Sequence, residues 1–181
     1  MFEKLFKLFK KTPPEQIGED NKNTIYNFVA TRIDGEKFDF SLLKGKKVLI
    51  VNTASACGLT PQYQDLQRLY EQFASDNFEL IAFPSNDFGG QEPLSNDELI
   101  GYCQKNFNVS FPLMQKVGVV QEPIHPLYKW LTFKSENGEE DRQVSWNFHK
   151  FLIDERGNFH ASLEPDTLPF DERITSWIKS S

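Results

Sequence analysis

The chain has 181 residues, of which 39% are hydrophobic and 25% charged, a balance that suits one globular domain with a substantial core. A formal net charge of -6 argues against a nucleic-acid binder. Two cysteines exclude a disulfide-rich scaffold, and without C-x-x-C pairs or H-E-x-x-H zinc has no evident seat.

The first stretch is basic and amphipathic. In Met1–Lys11, Phe2, Leu5, Phe6 and Phe9 share one helical face while Lys4, Lys7, Lys10 and Lys11 dominate the rest, a pattern that fits peripheral contact with an anionic membrane through residues 1–11. A frayed end, or a helix packed on its own domain, fits the same residues. No apolar run reaches the length of a spanning helix and no cleavage-site pattern follows, so the expected location is cytoplasmic, with membrane association at most at a surface. Asn108-Val-Ser110 matches the glycosylation pattern but carries little weight without an export signal. Thr12 to Asn23 is polar and reads as a linker, which divides the chain into a segment over 1–23 and a domain over 24–181.

Within that domain, apolar-bearing runs at Ile25–Ile33 and Glu36–Phe40 flank Asp34-Gly35, a hairpin signal. Lys47–Asn52 is an unbroken apolar run rich in β-branched residues, as in a strand covered on both faces. Leu66, Leu69, Tyr70 and Phe73 follow at helical spacing, with Thr60 placed to cap and Pro61 to open the helix. Phe78–Phe83 is a second strand, so strand, helix and strand predict a right-handed crossover between parallel strands. Ser95 to Phe107 is a helix with a Ser95/Glu98 capping box and a Leu94/Leu99 staple. Pro126 opens a helix carrying Leu127, Trp130 and Leu131, and Lys134 to Arg142 reads as a short charged loop. Phe148–Ile153 and Phe159–Leu163 form a second hairpin around Asp154–Gly157. Phe170, Ile174, Trp177 and Ile178 give a closing helix one apolar face. This order predicts an α/β domain of thioredoxin-like fold: a central mixed sheet, flanking helices and an extra N-terminal β-hairpin.

Cys57 stands out by position. It falls between the Lys47–Asn52 strand and the first turn of the following helix, at the carboxyl edge of the sheet where open α/β folds bind ligands. Helix N-termini leave N–H groups unpaired and favour negative charge. The thiolate is the reactive form of cysteine, so Cys57 reads as a nucleophile rather than as packing. No His is placed persuasively beside it as a general base, which argues against a cysteine hydrolase.

Three blocks then carry a resemblance. Asn52-Thr-Ala-Ser-Ala-Cys57-Gly-Leu-Thr60, Phe83-Pro-Ser-Asn-Asp-Phe-Gly-Gly-Gln91-Glu92 and Trp146-Asn147-Phe-His-Lys150-Phe151 resemble the signature blocks of the glutathione peroxidases, in order and over about Thr24 to Ile178. The resemblance implies reduction of hydrogen peroxide and of organic or lipid hydroperoxides, with Cys57 as the peroxidatic residue and Gln91, Trp146 and Asn147 completing a catalytic tetrad. Such donors suit the chemistry. Gln and Asn amides and the Trp indole N–H donate without carrying charge, and attack on the O–O bond needs donors for the anion and the departing oxygen. The product on Cys57 is a sulfenic acid. Taken singly, Gln91 would be a loop polar residue, Asn147 a turn former and Trp146 core.

Cys103 bears on the reductant. Its place near the Leu99, Ile100 and Phe107 stripe reads as a core thiol. The resemblance instead implies a resolving cysteine, as in the thioredoxin-dependent branch, where the sulfenic acid condenses with a second thiol and thioredoxin reduces the disulfide. A disulfide needs Cα atoms within roughly 7 Å, so the Ser95–Phe107 helix is expected to unwind in part. The short segment before Trp146 resembles the monomeric branch and fits thioredoxin better than glutathione. No cofactor or metal is implied beyond the reductant. The alternatives are a one-cysteine, glutathione-dependent peroxidase, a thiol–disulfide oxidoreductase, which the lack of C-x-x-C disfavours, and a peroxide sensor passing its disulfide to a partner.

Some positions depart from the family pattern. Ser85 stands where many relatives carry a further cysteine, Asp87 and Gly90 replace a frequent Gln and His, and His149 stands where Glu is common. His149 reads as a neutral-pH titrator or as a solvent-facing strand residue. His125 and His160 have no ligand spacing and read as structural or exposed.

Overall fold

The computed structural model describes residues 23–74 and 77–180. The amphipathic segment expected over residues 1–11 lies outside the described residues. The described chain begins against the domain: the Trp130 indole donates to the Asn23 carbonyl at 2.8 Å, and the Ile25 N–H donates to Gly157 O at 2.9 Å.

Strands β1 (Val29–Thr31) and β2 (Lys37–Asp39) form the expected hairpin, an antiparallel pair in a sheet of its own. Ala30 and Phe38 point inward and Gly35 takes the left-handed turn position, with φ +92°. The main sheet is built from β3 (Lys47–Thr53), β4 (Phe78–Pro84), β5 (Lys150–Ile153) and β6 (Phe159–Leu163), in the order β4-β3-β5-β6. β3 runs parallel to β4 and antiparallel to β5, and β5 pairs antiparallel with β6, which makes the sheet mixed.

β3 explains why its run is unbroken. All seven residues are buried. Val48 and Ile50 face one core with Ala30, Phe38 and the inward side of α3 (Pro126–Thr132). Leu49 and Val51 face the other, beneath α1 (Gln62–Phe73), α2 (Asn96–Phe107) and α5 (Glu172–Lys179). Fully burying one such side chain contributes roughly 1.5–3 kcal/mol, so a strand buried on both faces anchors both layers.

Four local expectations are corrected. Thr60 does not cap α1; its hydroxyl turns back into the preceding loop. The stretch expected as a charged loop contains a short helix, α4 (Lys134–Asn137), closed by Gly138 at φ +78°. β5 starts at Lys150 rather than Phe148, because Phe148 has φ +68°, outside any strand geometry. Ile100 is 42% exposed, so the buried stripe of α2 is Leu99 and Cys103. The Ser95/Glu98 capping box is present, with Glu98 N–H donating to Ser95 Oγ at 3.3 Å and Ser95 N–H to Glu98 Oε2 at 2.8 Å. α2 ends at Asn108 in a left-handed cap, φ +52°.

Candidate active site

Four residues beyond the end of β3, Cys57 sits half-buried in a tight loop, with its thiol free. Thr60 shapes the loop: its Oγ1 accepts the Cys57 N–H at 3.0 Å and donates to the Ala54 carbonyl at 2.8 Å. The Leu59 N–H points at the Cys57 sulfur, at 3.3 Å. The sulfur therefore faces an oriented backbone donor immediately before α1, the arrangement a sulfur anion requires.

Gln91 is brought to this loop by main-chain pairing, because its carbonyl accepts the Ala56 N–H at 2.9 Å. Its own turn rests on Gly89 and Gly90, both left-handed with φ of +62° and +63°, a succession that residues with a Cβ rarely tolerate. Asp87 holds the outer side of the turn. Its Oδ2 accepts the N–H groups of Val119, Val120 and Gln121 at 2.7, 2.8 and 3.0 Å. The two departures at 87 and 90 thus act on loop shape: Asp87 binds a neighbouring segment and Gly90 supplies backbone freedom. Ser85 is buried, and its N–H donates to Thr53 O at 3.0 Å.

The third block forms a turn that enters β5. Asn147 is buried and its Nδ2 donates to Gln91 Oε1 at 3.0 Å. Trp146 is 39% exposed rather than core, with its ring 5.3 Å from that of Phe88. A Cβ on Gly89 would lie 3.5 Å from Gln91 Cγ and 3.7 Å from Trp146 Cη2, so the Gln91 and Trp146 side chains converge over that glycine. Asn52 braces the turn twice: its Nδ2 donates to Trp146 O at 3.1 Å and its carbonyl accepts the Phe148 N–H at 2.6 Å. The buried Lys150 donates to Phe148 O at 2.7 Å. Burial pushes the Lys150 ammonium down to about 7, against a partial opposing pull from Asp166.

Cys103 is 2% exposed and its thiol is also free. Burial pushes that thiol up to about 11, with the adjacent Tyr63 hydroxyl opposing in part. Cys103 lies in the same apolar cluster against which Cys57 packs. The residue before it, Tyr102, donates from its hydroxyl to the Ser55 carbonyl at 3.0 Å, which fastens α2 to the Cys57 loop. Ser55 Oγ in turn donates to Glu92 Oε1 at 2.6 Å. Burial raises the Glu92 carboxyl, with Ser55 and then Leu94 and Lys116 opposing.

The histidines have structural roles. His149 is not solvent-facing: it is 1% exposed, with Nε2 2.7 Å from Ser162 Oγ and Nδ1 3.1 Å from Ser145 Oγ. Burial pushes it down to about 4. His125 caps α3, its Nδ1 accepting the Leu127 N–H at 3.2 Å, and His160 stacks on Trp177. Among the described residues no group of three or more His, Cys, Asp or Glu is placed to hold a metal ion, and no helix is long and apolar enough to cross a membrane.

Asn52, Glu92, Tyr102 and Lys150 bear on the site without having been singled out from the sequence. Three of them stand inside or beside the recognised blocks, which was the available signal. Apart from Lys150 and Phe148, the partners are remote in the chain, as with Asn52 and Trp146, 94 residues apart.

The family model described as "Glutathione peroxidase" matches residues 25–132. The chain is 44% identical over 146 residues to the glutathione peroxidase homolog BsaA of Halalkalibacterium halodurans, covering 81% of this chain and 92% of the relative. It is 44% identical over 147 residues to the glutathione peroxidase-like peroxiredoxin HYR1 of Saccharomyces cerevisiae, covering 80% and 90%. It is 42% identical over 160 residues to the hydroperoxy fatty acid reductase gpx1 of Synechocystis sp., covering 82% and 94%. Among solved structures, T. cruzi GPX1 superposes with a TM-score of 0.67 at 29% identity, over 87% of this chain and 97% of that one. A thioredoxin-family thiol:disulfide interchange protein from Chlorobium tepidum, 20% identical, shares the fold with a TM-score of 0.62, over 84% and 93%.

Proposed function

The chain belongs to the glutathione peroxidase family and is an oxidoreductase acting on peroxides, and on that premise we propose a two-cysteine thiol peroxidase centred on Cys57. The Cys57 thiolate attacks one oxygen of a hydroperoxide and the O–O bond breaks. Cys57 becomes a sulfenic acid, and the other oxygen leaves as alkoxide or hydroxide and takes a proton to give alcohol or water. Gln91, Trp146 and Asn147 supply neutral donors to the sulfur and the departing oxygen. The observation that carries this reading is the Asn147–Gln91 bond, set beside the Cys57 loop by the pairing of Ala56 N–H with Gln91 O.

Cys103 then condenses with the sulfenic acid, releasing water and forming the Cys57–Cys103 disulfide. A thioredoxin-like dithiol reduces it by exchange and is itself oxidised to a disulfide. The name of the HYR1 relative, a peroxiredoxin, supports this branch. α2 fully buries only Leu99 and Cys103 and carries Gly101 in its interior, which supports its partial unwinding to deliver Cys103.

The burial of Cys103 supports a second reading, in which glutathione attacks the sulfenic acid directly and Cys103 is core. The test is hydrogen peroxide turnover with thioredoxin, its reductase and NADPH against turnover with glutathione. Faster thioredoxin-driven turnover is expected, lost in Cys103→Ser while peroxide still oxidises Cys57. Equal glutathione-driven turnover in wild type and Cys103→Ser would establish the second reading instead.

Residues 24–181 constitute the catalytic unit in this proposal, acting as a monomer without a prosthetic group. Two free thiols suit a reducing compartment such as the cytoplasm. Lipid hydroperoxides are included as substrates, supported by the exposure of Trp146 and the name of the Synechocystis relative. The Lys-rich face of residues 1–11 would hold the enzyme near such lipids, and deleting it should abolish co-sedimentation with anionic liposomes while sparing hydrogen peroxide turnover.

A further inference from the structure

Lys150 is an unusual neighbour for a site built of neutral donors. It opens β5 between Val51 of β3 and Leu163 of β6, and none of it is exposed. A buried ammonium is costly, and main-chain carbonyls compensate it less fully than a carboxylate does. Lys150 Nζ donates to two carbonyls, Phe148 O at 2.7 Å and Pro165 O at 3.3 Å.

Both carbonyls lead back to the site. Pro165 O also accepts Nε2 of Gln62 at 2.8 Å, and Gln62 is the first residue of α1, five positions after Cys57. Phe148 directly follows Asn147 and has φ +68°. A bulky aromatic residue keeps a left-handed backbone only where its surroundings hold it. Here the Phe148 N–H is tied to Asn52 O, its carbonyl to Lys150, and its ring stands edge-on to Tyr63 at 5.6 Å.

We infer that Lys150 is a positioning residue, whose ammonium ties the Trp146–Phe148 turn to the head of α1 and so holds the Asn147 amide against Gln91 at the correct distance from the Cys57 loop. The inference rests on the reading of Cys57 as peroxidatic residue and Asn147 as a donor in its site. Lys150 touches no reacting atom; it acts through the backbone on either side of Asn147.

The test is Lys150→Met, which keeps the length and apolar stem of the side chain and removes the donor. Stopped-flow measurement of Cys57 oxidation by hydrogen peroxide is compared with alkylation of Cys57 by iodoacetamide, which breaks no O–O bond and so has no departing oxygen for Asn147 to serve. The expected result is peroxide oxidation at least tenfold slower, alkylation within twofold of wild type, and an unchanged or raised thermal midpoint. On an Asn147→Ala background the same substitution should slow oxidation less than twofold further. A peroxide rate within twofold of wild type overturns the inference. So does an equal loss of both reactions, or full additivity with Asn147→Ala. If Lys150→Met does not fold, Lys150→Gln, too short to reach both carbonyls, is judged by the same criteria. A wild-type protein whose Cys57 is not oxidised by peroxide would sink the proposed function instead, so the two failures are distinct.

Discussion

Asn147 Nδ2 donates to Gln91 Oε1 at 3.0 Å, across 56 residues of chain. Because the Gln91 oxygen is occupied by this bond, its amide nitrogen is left with two N–H groups to offer. The bond therefore orients Gln91 as a donor at a site where a sulfur anion attacks an O–O bond.

Gln91→Glu separates geometry from donation. A carboxylate oxygen still accepts from Asn147, so the fold and the turn should survive with little change in thermal midpoint. Two N–H donors are lost and a negative charge faces the sulfur, so peroxide oxidation of Cys57 should slow by about 10²-fold, the scale of losing one preorganised donor. A rate within threefold of wild type in stopped-flow assays would remove Gln91 from the chemistry.

Gly101→Ala tests whether α2 must unwind. Nothing lies within 4 Å of a Cβ placed on Gly101, so the added methyl meets no clash. Ala is favoured over Gly in a helix interior by about 1 kcal/mol, which strengthens α2 by that amount. If unwinding precedes disulfide formation, the step from sulfenic acid to Cys57–Cys103 disulfide should slow about fivefold, while the peroxide step is unchanged. Tyr102→Phe removes the hydroxyl bond to Ser55 and should speed the same step. Quenched-flow trapping of the sulfenic acid with dimedone measures both; equal rates in all three proteins would show that α2 opening is not limiting.

His149 predicts an acid-sensitive fold. Its ring is buried between Ser145 and Ser162, with Glu164 favouring the charged form and Lys150 and Arg142 disfavouring it. A histidine held at about 4 in the fold and near 6.5 when unfolded takes up its proton preferentially in the unfolded chain. Its contribution is complete above pH 6.5 and is lost as pH falls toward 4, by about 3 kcal/mol at one unit per 1.36 kcal/mol. Urea unfolding of wild type and His149→Gln at pH 7 and pH 4 should show the variant losing less stability over that interval by about this amount. Equal losses would mean that His149 is not buried uncharged.

Much of the site was legible because its residues sit in runs of local meaning. Cys57 follows an apolar run with no polar break, and Gln91 follows two glycines whose only common use is a tight turn. Trp146 was not legible in this way: a large aromatic reads as core, and its exposure follows from the turn that Asn52 and Lys150 hold. His149 was misplaced for a related reason. It stands just before β5 rather than within it, and Ser145 and Ser162 cover it.

The sequence by itself determined the order and kind of the elements other than α4, the two hairpins, the capping box on α2 and the thiol beyond the end of β3. These depend on period, turn chemistry and caps, all of which act within a few residues. Only the tertiary structure decided which polar groups meet: Asn147 with Gln91, Tyr102 with Ser55, and Lys150 and Gln62 on one carbonyl of Pro165. Hydrogen bonds reach about 3 Å in space whatever the distance along the chain, so contacts between remote segments exist only once β3, β5 and the helices pack around one core.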